Sequence, residues 1–410
     1  MPATAMDEHG HEPAPAEAGT RPLIRLRPGT AHRLKAGHPW AFSNEIAMRP
    51  EWRELPAGGL VRLEGDDGVR FGVSFYNPRS LIAARRLEAD PDAAIDAAWL
   101  GRRLAEATSL RERFFAAPFY RLAHAEADRL PGLIVDRFGG FAVIQANAAG
   151  ISRLEADVVT ALQATFAVQG VLARNDSPAR RLEGLTDEVR LLAGSLPDDL
   201  VVEEGGVGFP IDPSGGQKTG WFYDQRLNRD RLAALASGAR MIDFYCHTGG
   251  FGLRAKAAGA ERVVLVDSSA PALALAERAA RRNGLAVEFR RGDAFEVMAE
   301  CASKGERFDI VTCDPPPFIP SRKDQAAGLR GYERMARLAA TLVAPGGFLF
   351  AASCSHHASP EAFGEAVARG MTRAGRGGRI VHAGGAGPDH PTHPHLPESA
   401  YLKTCLVQIF

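Results

Sequence analysis

The stretch Asp243-Phe-Tyr-Cys-His-Thr-Gly-Gly-Phe-Gly252 decides the fold of this chain. The apolar residues that end at Phe244 predict a strand, and the residues from Gly250 onward predict a helix. The turn between this strand and this helix contains Gly249 and Gly250, which carry no Cβ atom, so a ligand can lie against its backbone. Open α/β sheets bind their ligands in this crevice, at the carboxyl ends of the strands. We therefore expect a nucleotide-type cofactor here.

Strands alternate with helices on the C-terminal side of this stretch. After the strand at 241–244, further strands are predicted at 262–266, 287–290, 309–312 and 348–352, with helices at 250–258, 271–283 and 331–342. Such alternation is typical of a parallel sheet with helices on both faces. The sequence therefore predicts an α/β, doubly wound, Rossmann-like domain over residues 206–410.

Acidic residues follow the second and third predicted strands. Asp267 ends the second strand, where a carboxylate can accept hydrogen bonds from both hydroxyls of a ribose. Asp293 follows the third strand and can reach the amino group of an adenine. The turn at 249–252 lacks the G-x-G-x-x-G spacing of an NAD site, which favours S-adenosylmethionine. The predicted cofactor site also includes Asp243, Gly250, Ser268 and Ala294.

The fourth and fifth strand ends carry the catalytic candidates. The fourth ends at Cys313-Asp314-Pro-Pro-Pro-Phe318, a rigid loop whose acid can accept hydrogen bonds from the amino group of a base. The fifth is followed by Cys354. Methylation of carbon 5 of a pyrimidine needs a nucleophile on carbon 6, and a cysteine thiolate can supply it. We expect Asp314 and Cys354 to be catalytic, with Cys313 as the alternative nucleophile.

A mixed segment, Gly215-Gly-Gln-Lys-Thr-Gly-Trp-Phe-Tyr-Asp-Gln-Arg226, precedes the first of these strands. Its glycines, charges and aromatic residues predict a lid over the cofactor pocket. Phe222, Asp224 and Arg226 are assigned to the cofactor site. Trp221 and Tyr223 fit a role in the core equally well.

The first half of the chain predicts two smaller domains behind a tail. Residues 1–20 are rich in Ala, Pro and Glu and have no aromatic residue, which predicts disorder. Residues 21–90 contain short β-rich runs separated by turn signals, a pattern that predicts a small β-barrel. Residues 91–205 combine helical spacing with strand pairs and predict a central α+β domain.

Composition excludes several classes of protein. With 410 residues, 45% of them hydrophobic, and 5 cysteines, the chain is neither wholly disordered nor a small disulfide scaffold. The Cys and His spacing predicts no metal site. The sequence shows neither a membrane-length apolar run nor a secretory pattern at its N-terminus, so we expect a cytoplasmic protein. The net charge is zero, yet residues 21–55 carry seven basic and three acidic side chains.

Several longer motifs occur in the order in which a known family carries them. They are Lys35-Ala-Gly-His-Pro-Trp40, Glu126-Ala-Asp-Arg-Leu-Pro-Gly-Leu-Ile-Val-Asp136, Arg174-Asn-Asp-Ser-Pro178, Gly216-Gln-Lys-Thr-Gly220, Asp224-Gln-Arg226, Asp314-Pro-Pro316, Ser353-Cys-Ser-His-His357, Asp389-His-Pro391 and Tyr401-Leu-Lys403. From about residue 21 to 410 the chain resembles the PUA-containing class I S-adenosylmethionine-dependent ribosomal RNA methyltransferases related to the bacterial 23S rRNA cytosine-C5 methyltransferase.

The resemblance implies an N-terminal PUA RNA-binding domain, a central α+β domain and a C-terminal class I methyltransferase domain. It places Phe244, Thr248 and Gly249 in the methyl-donor site, with Asp267 at the ribose and Asp293 at the adenine. Asp314 would lie nearest the methyl group, and Cys354 would be the nucleophile. The phosphate contacts of the RNA module would be Arg25, Arg27, Arg33 and Lys35.

The predicted function is therefore methylation of a base in 23S rRNA by S-adenosylmethionine, at cytosine carbon 5, through an adduct with Cys354. One alternative is N-methylation of a purine, which needs only the Asp314-Pro-Pro loop. Another is an RNA-binding ribosome assembly factor without catalysis, and a third is an NAD oxidoreductase. The expected partner is 23S rRNA or a large-subunit assembly intermediate, with no membrane; a homodimer is left open.

Overall fold

The structure, a computed structural model, describes residues 21–216 and 219–410. It divides into two units, one that ends at Ala93 and one that runs from Ala94 to Phe410. The predicted disordered tail, 1–20, lies outside the described residues. The division of the chain at residues 90 and 205 remains a prediction.

The first unit is a curled sheet closed on itself. Its elements are β1 (Leu23–Arg25), α1 (His32–Lys35), β2 (Trp40–Phe42), α2 (Pro50–Arg53), β3 (Gly59–Glu64), β4 (Arg70–Tyr76) and β5 (Ile82–Glu88). The strand order is β1-β3-β4-β5-β2, with β1 and β3 parallel. Leu26, just past β1, bridges Ile46, just past β2, so the two edge strands meet. Both side chains lie in the apolar interior, and the predicted small barrel is confirmed.

The second unit begins with a helix and a second sheet. Its elements are α3 (Ala97–Arg111), β6 (Phe119–His124), β7 (Leu133–Phe138), β8 (Phe141–Ala146), α4 (Ala149–Arg153), α5 (Glu155–Phe166), β9 (Gly170–Asn175), α6 (Pro178–Leu182) and β10 (Glu188–Gly194), followed by a hairpin of β11 (Val201–Glu204) and β12 (Val207–Pro210). The sheet runs β10-β9-β8-β7-β6. Phe138, Val143 and Leu172 from it share one core with Met241 and Leu265 of the next sheet.

The C-terminal half of this unit contains the predicted alternation of helices and strands. The structure adds helices at 226–233, 294–303 and 360–373 and strands at 378–384 and 403–409, which the sequence analysis did not predict. The elements are α7 (Arg226–Ala233), β13 (Arg240–Phe244), α8 (Gly250–Ala257), β14 (Arg262–Asp267), α9 (Ala270–Arg282), β15 (Glu288–Arg291), α10 (Ala294–Ser303), β16 (Phe308–Cys313), α11 (Gln325–Leu342), β17 (Val343–Ser353), α12 (Pro360–Arg373), β18 (Gly378–Gly384) and β19 (Lys403–Ile409). The helix starts follow from local chemistry: Ser269, Asp293 and Ser359 each accept a hydrogen bond from a backbone N–H of the helix that they precede.

The sheet of this half has the order β15-β14-β13-β16-β17-β19-β18, in which β19 is antiparallel to both of its neighbours. Alternate residues face opposite cores: Met241 and Leu265 face one, Ile242 and Val264 the other. Because β13 to β17 are parallel, the loops that follow them meet at one edge. Within the described ranges, none of the helices is long and apolar enough to cross a membrane.

Candidate active site

A cavity of about 430 Å³ opens at the carboxyl edge of the parallel strands. This volume lies within the range of small-ligand sites. We call it the cofactor cavity. Nine of the predicted site residues line it: Phe222, Asp224, Thr248, Gly250, Asp267, Ser268, Asp293, Asp314 and Cys354. Other predicted members, Arg226, Asp243, Phe244, Gly249 and Ala294, lie outside its wall.

The turn after β13 is built on glycine and on a buried carboxylate. Gly249 has φ +82°, a left-handed conformation that side chains other than glycine rarely adopt, and it begins α8. A Cβ on Gly252 would lie 2.3 Å from Leu265, so only glycine lets α8 approach β14 this closely. Asp243 accepts hydrogen bonds from the Gly252 N–H, at 3.1 Å, and from the Thr312 hydroxyl. Burial raises the pKa of Asp243 to about 7, against the effect of these hydrogen bonds.

Asp267 is held in place by the backbone on either side of it. Its Oδ2 accepts from the His247 N–H and its Oδ1 from the Ser269 N–H, each at 2.8 Å. The carboxylate thus joins the turn after β13 to the start of α9. Each carboxylate oxygen can accept a second hydrogen bond, so Asp267 can still receive a diol such as a ribose.

The far wall of the cavity is aromatic and acidic. Asp293 caps α10 through its Oδ1, which accepts from the Phe295 N–H at 2.9 Å. The ring of Phe295 stacks near that of Phe318, with centroids 6.1 Å apart and an interplanar angle of 29°. Asp314 lies on the same wall, at the end of β16. A flat, partly apolar ligand such as a nucleobase fits between such groups.

Residues 221–222 and 224–225 of the segment predicted as a lid form part of the cavity wall; residues 217 and 218 of that segment lie outside the described residues. Tyr223 is buried, at 1% exposure, and does not line the cavity, which favours its core role. Trp221, at 2% exposure, belongs to the same core and also lines the cavity. Phe222 and Asp224 line the cavity, and the Tyr401 hydroxyl donates to Asp224 at 2.5 Å. Arg226 turns away from the ligand: its guanidinium pairs with Glu204 and donates to the Phe119 carbonyl.

A buried ion cluster, which we call the Glu204 cluster, supports this wall from behind. The carboxylate of Glu204 accepts hydrogen bonds from three guanidinium groups. The donors are Arg229, at 2.5 and 2.7 Å, Arg254, at 3.3 Å, and Arg226, at 3.4 Å. Trp221 Nε1 donates to it as well, at 3.2 Å. Burial alone would raise the pKa of Glu204, but the three guanidinium charges outweigh it and hold that pKa at about 2. Sequence reasoning missed this cluster, because its members lie far apart in the chain.

The two candidate nucleophiles differ in access. All five cysteines lie in the described part of the chain; four are buried, and Cys354 is partly exposed and lines the cofactor cavity. Cys313 is 0% exposed and points into the core between the sheet and α11. Burial and the nearby charges of Asp243 and Asp314 raise the pKa of the Cys313 thiol well above its usual value.

A hydroxyl network fixes Cys354 against the loop that carries Asp314. The Ser353 hydroxyl donates to the Tyr332 hydroxyl at 2.8 Å, and Tyr332 bonds Ser355 at the same distance. The Ser355 hydroxyl then accepts from the N–H of Ile319, at 3.2 Å. The ends of β16 and β17 are therefore held together, although nothing in the local sequence marks Tyr332.

Lys403 is a buried cation next to Cys354. It pairs with Ser353 across β17 and β19, and its Nζ donates to the carbonyls of Ser355, at 2.5 Å, and Tyr401, at 2.7 Å. Burial lowers the pKa of Lys403, and the charge of the Cys354 thiolate opposes that shift. The motif Tyr401-Leu-Lys403 contained this residue, but the sequence gave it no role.

In the first unit, the four predicted RNA contacts are accessible but mostly paired. The Nε atom of Arg25 lies 3.2 Å from Oε1 of Glu64, and the Nε atom of Arg33 lies 3.4 Å from Oε1 of Glu45. Lys35 forms an ion pair with Asp67. The Arg27 Nε donates to the Ile46 carbonyl at 3.0 Å. An RNA phosphate would have to compete with these acids, and the assignment remains a prediction.

Comparison with known proteins gives matches over nearly the whole chain. A model of the PUA-like domain matches residues 24–89, and a model of the S-adenosylmethionine-dependent methyltransferases matches residues 126–403. Ribosomal RNA large subunit methyltransferase I of Photobacterium profundum is 35% identical over 387 residues, 93% of this chain and 97% of that protein. The protein of the same name from Aeromonas hydrophila is 35% identical over 394 residues, covering 94% and 98%.

Solved structures support the fold. A protein assigned as a methyltransferase and complexed with SAH superposes with a TM-score of 0.79 at 17% identity, covering 94% of this chain and 99% of its own. A Streptococcus mutans protein assigned as a SAM-dependent methyltransferase gives 0.78 at 18% identity, covering 94% and 100%. At these identities the likeness establishes the architecture alone.

The fold, the cofactor cavity and the family matches define an S-adenosylmethionine-dependent methyltransferase that carries a PUA-like domain. The predicted fold class, cofactor and enzyme class are thereby confirmed. The chain belongs to the ribosomal RNA large subunit methyltransferase I family, since relatives of that name match it at about a third identity over almost their full length.

Proposed function

We propose that this enzyme methylates carbon 5 of a cytosine in 23S rRNA, with Cys354 as the nucleophile. The observation that carries the proposal is the position of a partly exposed cysteine in the same cavity as the acid of the Asp314-Pro-Pro loop. The named relatives are large-subunit rRNA methyltransferases, which supports the class of substrate. An rRNA substrate would place the enzyme in the cytoplasm.

Bound in the cofactor cavity, S-adenosylmethionine would supply an electrophilic methyl group; its methyl–sulfur bond would break, the bonding pair would stay on sulfur, and S-adenosylhomocysteine would be the leaving group. The Cys354 thiolate forms a bond to carbon 6 of the ring, and the electron pair displaced to carbon 5 forms the bond to the methyl group. Asp314 accepts a hydrogen bond from the amino group of the ring and holds it in place. Loss of the carbon 5 proton to water then expels the thiolate and restores the aromatic ring. The target base must leave its stack to enter the cavity.

The role of Lys403 in this scheme is electrostatic. Its ammonium donates to the carbonyl of Ser355, the residue after Cys354. A positive charge there stabilises the thiolate both before it adds to the ring and after it is expelled. The Ser353, Tyr332 and Ser355 network fixes the distance between the thiolate and the Asp314 loop. Tyr332 and Lys403 are therefore positioning residues in this proposal.

The test is mass spectrometry of nucleosides from unmodified 23S rRNA incubated with enzyme and isotope-labelled S-adenosylmethionine. Wild-type enzyme should place label in 5-methylcytidine, and Cys354→Ala should abolish it. Cys405→Ala removes a buried thiol on the neighbouring strand, away from the cavity, and should keep most of the activity. Cys313→Ala identifies the nucleophile if Cys354 is not it.

A second measurement traps the adduct directly. RNA that carries 5-fluorocytosine should remain covalently attached to wild-type enzyme. Fluorine replaces the carbon 5 proton, and a base cannot abstract it, so the thiolate is not expelled. Cys354→Ala should form no such complex, and Cys405→Ala should form it. Label in a methylated purine, unaffected by Cys354→Ala, would leave the fold and cofactor intact but refute the adduct mechanism.

A further inference from the structure

A second cavity, of about 380 Å³, lies beside the cofactor cavity. Three segments form it: the loop after β16, the chain after β17 and the residues that lead into β19. Among its lining residues are Arg322, Gln325, His356, Glu398, Tyr401 and Lys403. Arg322 and His356 are exposed, so the cavity opens to solvent. Lys403 and Tyr401 have roles assigned above through their contacts with Ser355 and Asp224, but the cavity itself has none.

The two cavities share a wall. Cys354 and Leu402 line the cofactor cavity, whereas His356, Tyr401 and Lys403 line the second one. Leu402 lines one cavity and its two neighbours, Tyr401 and Lys403, line the other, at the point where the chain enters β19. Whatever enters the cofactor cavity to meet Cys354 therefore has the second cavity directly beside it.

The lining groups match the chemistry of a nucleotide. The rings of His356 and Tyr401 have centroids 5.7 Å apart at an interplanar angle of 37°, and such a ring pair can stack with a base. Gln325 donates to the His357 carbonyl at 3.0 Å, which holds the two loops together. Among the residues that the structure describes, none forms a salt bridge with Arg322. That guanidinium can therefore receive a phosphate without first breaking an ion pair.

We propose that the second cavity binds the nucleotide adjacent to the target nucleotide in the substrate RNA. The phosphate lies at Arg322, and the base lies against His356 and Tyr401. Occupation of the second cavity would draw the strand across the shared wall and keep the target base extruded next to Cys354. This inference rests on the proposed RNA substrate and adds to it the part of the strand that the enzyme grips.

The test compares two charge deletions in the same short turn. Arg322→Ala removes the cation that lines the cavity; Lys323→Ala removes the next cation, which is exposed and lies outside the lining. We expect Arg322→Ala to raise KM for 23S rRNA about tenfold and to reduce the slope of log Kd against log salt by about 0.7. Lys323→Ala should stay within about twofold of wild type. Both variants should bind S-adenosylmethionine with unchanged affinity in calorimetry.

His356→Ala tests the stacking half of the proposal. Loss of one ring should also raise KM about tenfold, with little change in the salt slope, because the proposal assigns the ring to the base and the phosphate to Arg322. Equal effects of Arg322→Ala and Lys323→Ala on KM and on the salt slope would overturn the proposal.

Failure of the proposed function looks different. If the proposed function is wrong, wild-type enzyme incubated with isotope-labelled S-adenosylmethionine will leave 23S rRNA unlabelled. In that case the same variants are compared for binding of a fluorescein-labelled single-stranded RNA by anisotropy. Weaker binding by Arg322→Ala alone would still support the second cavity, and equal binding by all variants would refute it.

Discussion

Replacing Glu204 with Gln removes the negative charge at the centre of the Glu204 cluster. The variant keeps the shape of the side chain and one acceptor oxygen. The guanidinium groups of Arg226 and Arg229 then stay buried without the carboxylate that they share. Arg254 keeps a second ion pair, in which its Nη2 lies 2.6 Å from Oδ1 of Asp230. Since Trp221 and Arg229 also line the cofactor cavity, the damage should reach the ligand site.

The size of the effect can be worked out in two ways. The pKa of Glu204 falls from 4.5 to about 2 on folding, and at 1.36 kcal/mol per unit this corresponds to about 3 kcal/mol of stability at neutral pH. Breaking a buried ion pair by removing one partner typically costs about 3–5 kcal/mol. We therefore expect Glu204→Gln to lower the free energy of unfolding by about 3–5 kcal/mol and Tm by roughly 5 °C.

The assay is thermal and urea unfolding of both proteins over a range of pH. Because the folded pKa lies below the unfolded one, the stabilisation is present above about pH 4.5 and is lost as pH falls toward 2. The difference in the free energy of unfolding between wild type and Glu204→Gln should therefore shrink as the pH falls from about 4.5 toward 2. Asp199→Asn is the matched control: its exposed carboxylate also pairs with two arginines, Arg278 and Arg282, and its loss should cost less than about 1 kcal/mol. Equal destabilisation by the two variants would refute the reasoning.

Three further predictions concern ligands and the nucleophile. Asp267→Asn should weaken S-adenosylmethionine binding at least tenfold in calorimetry, because the amide keeps one acceptor oxygen and replaces the other with an NH2 group that can only donate; wild-type affinity would contradict the ribose role. Lys403→Met should slow alkylation of Cys354 by iodoacetamide several-fold at about pH 7.5, whereas an unchanged rate would show that the ammonium does not act on the thiolate. Lys35→Ala and Arg25→Ala should each flatten the salt dependence of RNA affinity, and slopes equal to wild type would move the RNA contact elsewhere.

Local sequence was enough to predict the five parallel strands of the catalytic half, but not β18 and β19, which extend the sheet with antiparallel pairing. The strand, glycine turn and helix around Gly249 appear in the structure as predicted, since φ +82° at that position strongly favours glycine whatever packs around it. Asp267 and Asp293 lie at successive strand ends because a parallel sheet gathers the ends of its strands at one edge. Cys354 and Asp314 share a cavity for the same reason.

Other parts of the site depend on contacts between distant segments. Asp243 and Arg226 have residue types that suit a ligand, yet Asp243 accepts from the turn behind the cavity and Arg226 pairs with Glu204. Tyr332 and Lys403 carry no local signal, because their role comes only from the neighbours that they reach across the sheet. The second cavity is likewise invisible in the sequence, since three separate loops form it.

The sequence by itself determined the class of fold, the cofactor edge of the sheet and the set of acids and cysteines from which the site is drawn. Periodicity, turn chemistry and strand-end position depend on only a few neighbouring residues, so the sequence alone reveals them. The tertiary structure decided which of these side chains face the ligand, and it separated Cys354 from Cys313 by exposure. Burial and charge pairing depend on segments brought together only by folding, as the three arginines around Glu204 show.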